Sequence, residues 1–153
     1  VACQQRTNDA ALEEEFEIKT KLKSYTNNNE HELMLNIMEV LKAKGCRIER
    51  INVGKRKTID GRWFDTGAPK GYSDLSGCTP CGKAVYIEVK FGTNKPSPEQ
   101  VAFLLDRLSC GAYAGIAYSI SEALNIAGGA PEVLEAQRVK LEAFKTTKCG
   151  GKK

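Results

Sequence analysis

Two acidic residues and a lysine, set in two short apolar segments, are the residues of this sequence best suited to chemistry. Asp74 lies in the segment GYSDL, and Glu88 and Lys90 lie in the segment IEVK. The stretch between the two segments is rich in turn-forming residues, so it predicts a tight turn joining two strands. Such a hairpin would bring Asp74 close to Glu88 and Lys90.

The spacing within the second segment decides which side chains share a face. Because side chains alternate along a strand, Glu88 and Lys90 are expected on one face with Tyr86, and the aliphatic residues between them on the other. Two carboxylates and an ammonium group on one face are costly to bury without a ligand, and a hard divalent cation offsets that cost. We therefore expect Asp74 and Glu88 to bind Mg²⁺ or Mn²⁺ and to support phosphodiester hydrolysis. Taken singly, these residues are better interpreted as an aspartate at a strand end beside a turn and a surface pair of Glu88 and Lys90.

The elements that must position these residues follow from periodicity and capping signals. The pattern predicts an α/β fold in which a mixed sheet is flanked by helices, with the order α-β-β-β-α-β-α. Trp63 and Phe64 are expected to anchor a hairpin or loop at 55–70, and Ser97 and Pro98 to open a helix. The other predicted elements are a helix over 30–44, a strand over 46–54, a strand over 112–119, and helices beginning at Ser121 and Pro131.

The chain is expected to contain one domain. Residues 1–28 are predicted to form an N-terminal arm that is at most partly helical, residues 29–147 the single domain, and residues 148–153 a disordered tail. We find no internal repeat.

Composition excludes several classes of protein. The 153 residues carry a formal charge of +4, and basic residues cluster between positions 42 and 70, ahead of the acidic motif. No apolar run approaches the roughly 20 residues of a membrane span. A single histidine, His31, excludes sites built on several histidines, and no phosphate-binding Walker loop is present.

Six cysteines are scattered along the chain. Without secretory context we interpret them as reduced thiols of a cytosolic protein. Cys78 and Cys81 have the spacing of a zinc knuckle, but structural zinc requires four ligands and no second pair is present. A turn is the favoured interpretation of this pair, and zinc is the alternative.

The order of these motifs resembles the PD-(D/E)xK nuclease superfamily, and within it the VRR-NUC family of virus-type replication-repair nucleases. The resemblance extends from about residue 32 to residue 122. One departure is Ser73, where the family often has proline before the first acid. The matching pieces are Glu32, the segment RINVG at 50–54, GYSDL at 71–75, IEVK at 87–90, SPEQ at 97–100, and Gly111 with the apolar strand after it.

This resemblance implies a restriction-endonuclease-like core and assigns roles to individual residues. Asp74 and Glu88 would bind the metal together with the backbone carbonyl of Val89. Lys90 would orient or deprotonate the attacking water, or stabilise charge in the transition state. Gln100 would hydrogen-bond near the active site.

The resemblance also implies an acid on the first helix. Glu32 fits the family spacing best, with Glu30 and Glu39 as rivals, and it would support a metal-bound water or a second ion. A solvated helix face is the alternative interpretation of these acids.

Basic and polar residues ahead of the motif are the candidate DNA contacts. Arginine binds phosphate through two parallel hydrogen bonds, and lysine adds a point charge. A solubilising loop is the alternative. The candidates are Arg50, Asn52, Lys55, Arg56 and Lys57.

The activity implied is that of a Mg²⁺- or Mn²⁺-dependent DNA endonuclease acting in phage or mobile-element replication and repair. The stand-alone form of the family is similar to Holliday-junction resolvases, which implies a homodimer in the cytoplasm of a bacterial or phage-infected cell, acting on branched DNA and not on membranes. The alternatives are a flap or nicking nuclease, a non-catalytic DNA-binding module of the same fold, and a zinc-stabilised interaction protein.

Overall fold

A four-stranded sheet lies between two pairs of helices in the computed structural model, which describes residues 25–146. The predicted arm up to residue 24 and the tail from residue 147 therefore lie outside the described residues. The elements are α1 (Glu30–Ala43), β1 (Arg47–Arg50), β2 (Lys55–Lys57), β3 (Trp63–Asp65), β4 (Leu75–Cys78), β5 (Ala84–Val89), α2 (Pro98–Ser109), β6 (Tyr113–Ala117), α3 (Ile120–Gly128) and α4 (Pro131–Thr146).

The central sheet is mixed, as the sequence predicts. Its strand order is β1-β4-β5-β6, and β2 and β3 form a separate two-stranded sheet. The pairs β1–β4 and β4–β5 are antiparallel, whereas β5 and β6 are parallel and are joined through α2. The α/β fold is thus confirmed, and the order α-β-β-β-α-β is found along the central sheet once the small sheet is set aside.

Each face of the sheet has its own apolar cluster. On one face Val85, Ile87 and Val89 of β5 pack with the buried residues of α1 and α3. On the other face, residues of β6 pack with α2 and α4. On β5, Val85, Ile87 and Val89 serve the first cluster, and the opposite side of the strand carries Tyr86, which packs against the second cluster, and Glu88. None of the helices described over residues 25–146 is long and apolar enough to cross a lipid bilayer.

Helix α1 matches its prediction closely. The side chain of Asn29 caps the helix by accepting a hydrogen bond from the Glu32 amide at 2.9 Å. Leu33, Ile37 and Leu41 recur at helical spacing and are buried.

Strand β1 is shorter than the predicted 46–54. Its pairing ends where Arg50 lies opposite Leu75, because the partner strand begins there. The amide of Ile51 then donates to the carbonyl of Asp74 at 2.8 Å. This bond holds the segment after β1 beside the acid.

The prediction that Trp63 and Phe64 anchor the segment 55–70 is wrong. The hairpin is present, with Lys57 paired to Trp63, but Trp63 is 70% exposed and Phe64 is 59% exposed. A two-stranded sheet has no layer of its own against which to bury side chains.

The hairpin of β4 and β5 is confirmed. Leu75 pairs with Ile87, and one further step in this antiparallel register places Asp74 opposite Glu88. The turn spans Thr79 to Lys83, whose backbones are joined by a hydrogen bond of 2.9 Å. The two acids therefore lie at the end of the hairpin distant from its turn.

Strand β6 is at the edge of the sheet, and helix α4 covers it. The buried Gln137 side chain accepts a hydrogen bond from the Ile116 amide at 2.9 Å. A Cβ at Gly115 would lie 2.6 Å from the Gln137 oxygen, so glycine permits this close approach. The edge is thereby protected from pairing with another strand.

Gly71 joins the loop that carries Asp74 to the start of α2. It has a φ of +85°, and a Cβ at this position would lie 2.5 Å from the backbone of Glu99. Only glycine avoids both the strain of positive φ and this clash. The contact sets the distance between Asp74 and the first turn of α2.

We expect Gly71→Ala to destabilise the fold more than Gly82→Ala, by roughly 1–3 kcal/mol. Gly82 is the matched control, since it has a φ of +78° and a Cβ added there would meet no atom within 4 Å among the described residues. Both variants carry the same strain from a positive φ. The difference between their free energies of unfolding therefore measures the clash with Glu99. Urea unfolding measures it, and equal free energies of unfolding for the two variants would contradict the expectation.

Candidate functional site

Glu88 is a buried carboxylate with one satisfied oxygen and one unsatisfied oxygen. Its exposed fraction is 0%. Oε1 accepts hydrogen bonds from Lys90 Nζ at 2.5 Å and from Gln100 Nε2. No group within residues 25–146 donates a hydrogen bond to Oε2. An orphaned carboxylate oxygen in this environment is unfavourable unless a ligand binds it.

Asp74 is the second carboxylate of the site. It is half-buried at the start of β4, and its Oδ2 accepts a hydrogen bond from the Val89 amide at 3.0 Å. This bond crosses from one strand of the hairpin to the other, so Asp74 is held beside Glu88. The preceding residue, Ser73, is buried, and its hydroxyl donates to the Leu75 carbonyl at 2.9 Å. This hydrogen bond of Ser73 stabilises the entry to β4.

The environment of Glu88 disfavours its charged form. Burial is the main cause, the neighbouring charge of Asp74 is the next, and a side-chain hydrogen bond with Asp74 adds to them, so that the pKa of Glu88 is raised to about 8. The ammonium group of Lys90 opposes this shift without cancelling it. A carboxyl group placed in this way has affinity for additional positive charge.

Lys90 is also buried, with an exposed fraction of 8%. Burial lowers its pKa, but the carboxylates of Glu88, Glu30 and Asp74 outweigh burial, so that the net pKa lies above the ordinary value. Lys90 therefore remains an ammonium group at neutral pH and donates a hydrogen bond to Glu88.

Gln100 connects the first turn of α2 to the carboxylate. Its side-chain oxygen accepts a hydrogen bond from the Ser97 backbone amide at 2.7 Å, and its own backbone amide donates to the Ser97 hydroxyl at 3.2 Å. This capping box fixes the side chain, whose Nε2 donates to Glu88. The segment SPEQ that signals a helix start in the sequence thus also orients a donor toward the site.

The structure places the three candidate acids of α1 differently. Glu32 accepts from the Asn28 amide at 3.0 Å and belongs to the N-terminal cap. Glu39 hydrogen-bonds Tyr25. Glu30 accepts from Asn94 Nδ2 at 3.2 Å, and it is the acid of α1 whose charge acts on Lys90. The favoured candidate, Glu32, is therefore engaged at the N-terminal cap, whereas the charge of its rival Glu30 acts on Lys90.

Tyr118 is a site neighbour that the sequence did not single out. Its hydroxyl donates to the Asn94 carbonyl at 2.8 Å. Burial raises its pKa, and the Lys90 charge partly opposes that rise. In the sequence Tyr118 lies within the predicted strand over 112–119, and no motif marks it.

An open cleft of about 330 Å³ adjoins these groups. Two of the five candidate DNA contacts, Arg50 and Asn52, line it together with Asp74 and Gln100. Lys55, Arg56 and Lys57 are instead the three residues of β2, where the two lysines are exposed. Two of the candidate DNA contacts thus lie at the cleft, and the other three lie on the small sheet.

The donor set fits a hard divalent cation. Within the described part of the chain, no group of three or more histidine, cysteine or acidic side chains could bind a metal. Mg²⁺ is commonly bound by one or two carboxylates and several waters, and Asp74 with the free oxygen of Glu88 supplies this number.

The cysteines of the described residues do not provide an alternative metal site. Cys46, Cys78 and Cys110 are free, whereas Cys81 is disulfide-bonded, so the expectation that all cysteines are reduced is wrong for Cys81. A disulfide-bonded sulfur cannot act as a thiolate ligand. The pair Cys78 and Cys81 is therefore better interpreted as part of the turn region than as a zinc knuckle.

Comparisons with known proteins return no relative: no family model, curated protein or solved structure matches this chain.

We expect the metal-free protein to lose stability as the pH rises from about 4.5 to about 8. The reason is that the pKa of Glu88 is raised on folding, so folding favours its protonated form and this contribution disappears once the folded state ionises. One such group gives a slope of about 1.4 kcal/mol per pH unit between the two pKa values. Urea unfolding with a chelator present, at pH 5 and at pH 8, measures the change.

Glu88→Gln is expected to remove most of this dependence, because glutamine does not titrate. Glu49→Gln is the matched control, since Glu49 is an exposed strand carboxylate. If Glu88→Gln retained the pH slope of the wild type, the assignment of the slope to Glu88 would be incorrect.

Proposed function

We propose that this protein is a metal-dependent DNA endonuclease of the PD-(D/E)xK type, with a restriction-endonuclease-like core, and that the VRR-NUC family is its nearest functional counterpart. The observation that carries the proposal is the buried Oε2 of Glu88, to which no group among residues 25–146 donates a hydrogen bond, in a carboxyl group beside Asp74. Lys90 and Gln100 occupy the other oxygen, so the free oxygen is left for a cation.

Asp74 and Glu88 are the side chains that would bind Mg²⁺ or Mn²⁺, with the backbone carbonyl of Val89 as the further protein ligand. The bound ion supplies Lewis acidity at the scissile phosphate and lowers the pKa of a coordinated water. The Val89 amide already holds Asp74 in place at 3.0 Å, so the acid does not need to reorient. Holding the ligands in advance limits the loss of conformational entropy on binding.

Lys90 provides positive charge beside the carboxylates. Because it remains protonated at neutral pH in this environment, its role is to bind a non-bridging phosphate oxygen and to stabilise the charge that develops there. Its hydrogen bond to Glu88 keeps the ammonium group at a fixed position. This favours electrostatic stabilisation over the general-base role among the options that the sequence left open.

Gln100 positions Glu88 and needs no proton transfer to do so. Its side-chain amide donates to Oε1, while no group among residues 25–146 donates a hydrogen bond to the buried Oε2. Because the capping box fixes Gln100 on α2, the helix and the central strand are linked at the site.

The cleft beside Asp74 is the proposed path of the DNA strand. Arg50 and Asn52 line it, and Lys55 and Lys57 are exposed on the small sheet that follows. Cationic side chains next to two carboxylates would retain a polyanion where the carboxylates alone would repel it. Branched DNA, with a Holliday junction or a flap as the substrate and a homodimer as the acting form, is the substrate class that the motif resemblance supports.

We expect the protein to cut labelled branched DNA with Mn²⁺ or Mg²⁺, and Asp74→Asn and Glu88→Gln to reduce cutting by roughly 10²-fold or more. Lys90→Met should reduce cutting to a similar extent, because the transition-state charge is then not neutralised. A four-way junction, a flap and a linear duplex serve as substrates. Glu49→Gln and Lys83→Ala are the matched controls, since both residues are exposed and lie outside the motif.

Calorimetric titration with Mn²⁺ provides a second measurement that does not depend on cutting. Asp74→Asn and Glu88→Gln should abolish binding, whereas the controls should bind as the wild type does. Equal cutting by the wild type and all three site variants would refute the proposal, and so would Mn²⁺ affinity that neither acid affects.

The helix acids give a separate prediction. We expect Glu30→Gln to reduce cutting about tenfold, because Glu30 acts electrostatically on Lys90 and is hydrogen-bonded through Asn94 to the loop before α2. Glu32→Gln should leave cutting within twofold and lower stability by about 0.5–1 kcal/mol through its bond to the Asn28 amide. The reverse ranking of the two variants in cleavage rate would restore Glu32 as the functional acid.

A further inference from the structure

The hairpin formed by β2 and β3 exposes large apolar side chains to an unusual degree. Trp63 is 70% exposed, Phe64 is 59% exposed, and Ile59 at the tip is fully exposed. Val53, just before the hairpin, is 40% exposed. Four of the six large apolar side chains that are exposed within residues 25–146 therefore lie in one twelve-residue stretch.

No other layer formed by the described residues covers these side chains. The small sheet contains only β2 and β3, and these strands contact mainly each other. Its base is closed by bonds between Gly54 and Thr66, in both directions at 3.2 Å. The hairpin therefore projects from the body of the protein as a two-stranded arm.

The base of this hairpin is at the rim of the cleft. Val53 lines the cleft together with Arg50, Asn52 and Asp74, and Gly54 begins the hairpin directly afterwards. Trp63 is the cross-strand partner of Lys57, three residues from Gly54. At about 3.3 Å per residue, Lys57 lies about 10 Å from Gly54 along the strand, and the backbone of Trp63 lies opposite it.

The hairpin also carries the charge that a polyanion requires. Residues 55–65 include four basic and two acidic residues. Lys57 lies opposite Trp63 and Arg56 opposite Phe64, so each aromatic residue has a basic cross-strand partner. Aromatic rings interleaved with basic residues are the combination that binds unpaired bases, through stacking on the ring and attraction of the backbone.

We propose that the β2–β3 hairpin binds unpaired nucleotides at the branch of the DNA substrate, with bases stacked on Trp63 and Phe64. This inference rests on the proposed function for the identity of the polymer and narrows its substrate class to DNA with single-stranded character beside the cut. In a fully paired duplex the base faces are already stacked and cannot reach the rings. Recognition therefore depends on structure and not on sequence.

The basic residues opposite Trp63 and Phe64 favour a nucleic acid over a protein as the partner of the hairpin. An apolar patch that docks a protein is usually depleted of charge at its centre. Here a basic residue is paired with each aromatic residue, and the hairpin is continuous with a cleft that contains Arg50 and Asp74. A nucleic acid offers bases that stack on the rings and phosphates that attract the basic residues.

Trp63 is the only tryptophan of the chain, so its fluorescence reports directly on this hairpin. With a chelator present to prevent cutting, a flap and a single-stranded oligothymidylate should quench the emission in a saturable manner. A closed dumbbell duplex of the same length, without unpaired bases, should quench it much less. Equal quenching by the dumbbell would overturn the proposal.

Alanine variants test whether the rings contribute affinity. By fluorescence anisotropy of labelled DNA, Trp63→Ala and Phe64→Ala should each weaken flap binding roughly 5- to 100-fold and change dumbbell binding less than twofold. Val139→Ala is the matched control, since Val139 is 62% exposed on α4, away from the cleft lining. Flap binding unchanged in both hairpin variants would refute the proposal. Conversion of a dimer to a monomer by these variants, with flap binding retained, would also refute it.

The same variants separate this inference from the proposed function. If Trp63→Ala cuts a flap at the wild-type rate and binds it with wild-type affinity, the inference fails and the endonuclease proposal stands. If the wild type cuts no substrate with Mn²⁺ but its tryptophan is quenched by the flap and not by the dumbbell, the endonuclease proposal fails and the binding surface stands.

Discussion

A buried carboxylate with one free oxygen is the constraint on which the rest of this structure depends. Glu88 lies on the central strand β5 with an exposed fraction of 0%, and among residues 25–146 only its Oε1 has protein donors. Burying a charged group without full pairing is costly, so the surrounding fold must supply the stability that this position removes. The aliphatic residues on the other face of β5 do so by packing into the larger apolar cluster. One strand thus serves the core on one face and the site on the other.

Separate local interactions hold each neighbour of Glu88 in place. The Val89 amide holds Asp74, the capping box of α2 holds Gln100, and the close approach at Gly71 brings the two loops together. Each interaction restricts a side chain or loop before any ligand binds. Such preorganisation is what sites acting through electrostatics require, because reorienting groups during the reaction costs energy.

The sequence was sufficient to predict the part of the site that depends on short-range rules. Alternation along a strand put Glu88 and Lys90 on one face, and a hairpin register put Asp74 opposite them; both follow from geometry within about 20 residues. Which acid of α1 acts on the site depends on how α1 packs against the loop before α2, and no local pattern encodes that packing. The charge of Glu30, and not that of Glu32, acts on Lys90. Trp63 was misjudged for a related reason, since aromatic residues are usually buried and only the tertiary structure shows that no described layer covers this one.

The division between a buried site and an exposed hairpin has a physical reason. In the proposed function, two carboxylates and a lysine would act on a phosphodiester group that is the same in every nucleic acid, so the chemistry itself would not select a substrate. A cleft of about 330 Å³ is at the lower end of the range of ligand pockets and accommodates only a short piece of a strand. Selection must therefore come from contacts beyond the cleft. Trp63 and Phe64, exposed on an arm whose base is the cleft rim, are positioned to make such contacts without altering the geometry around Glu88.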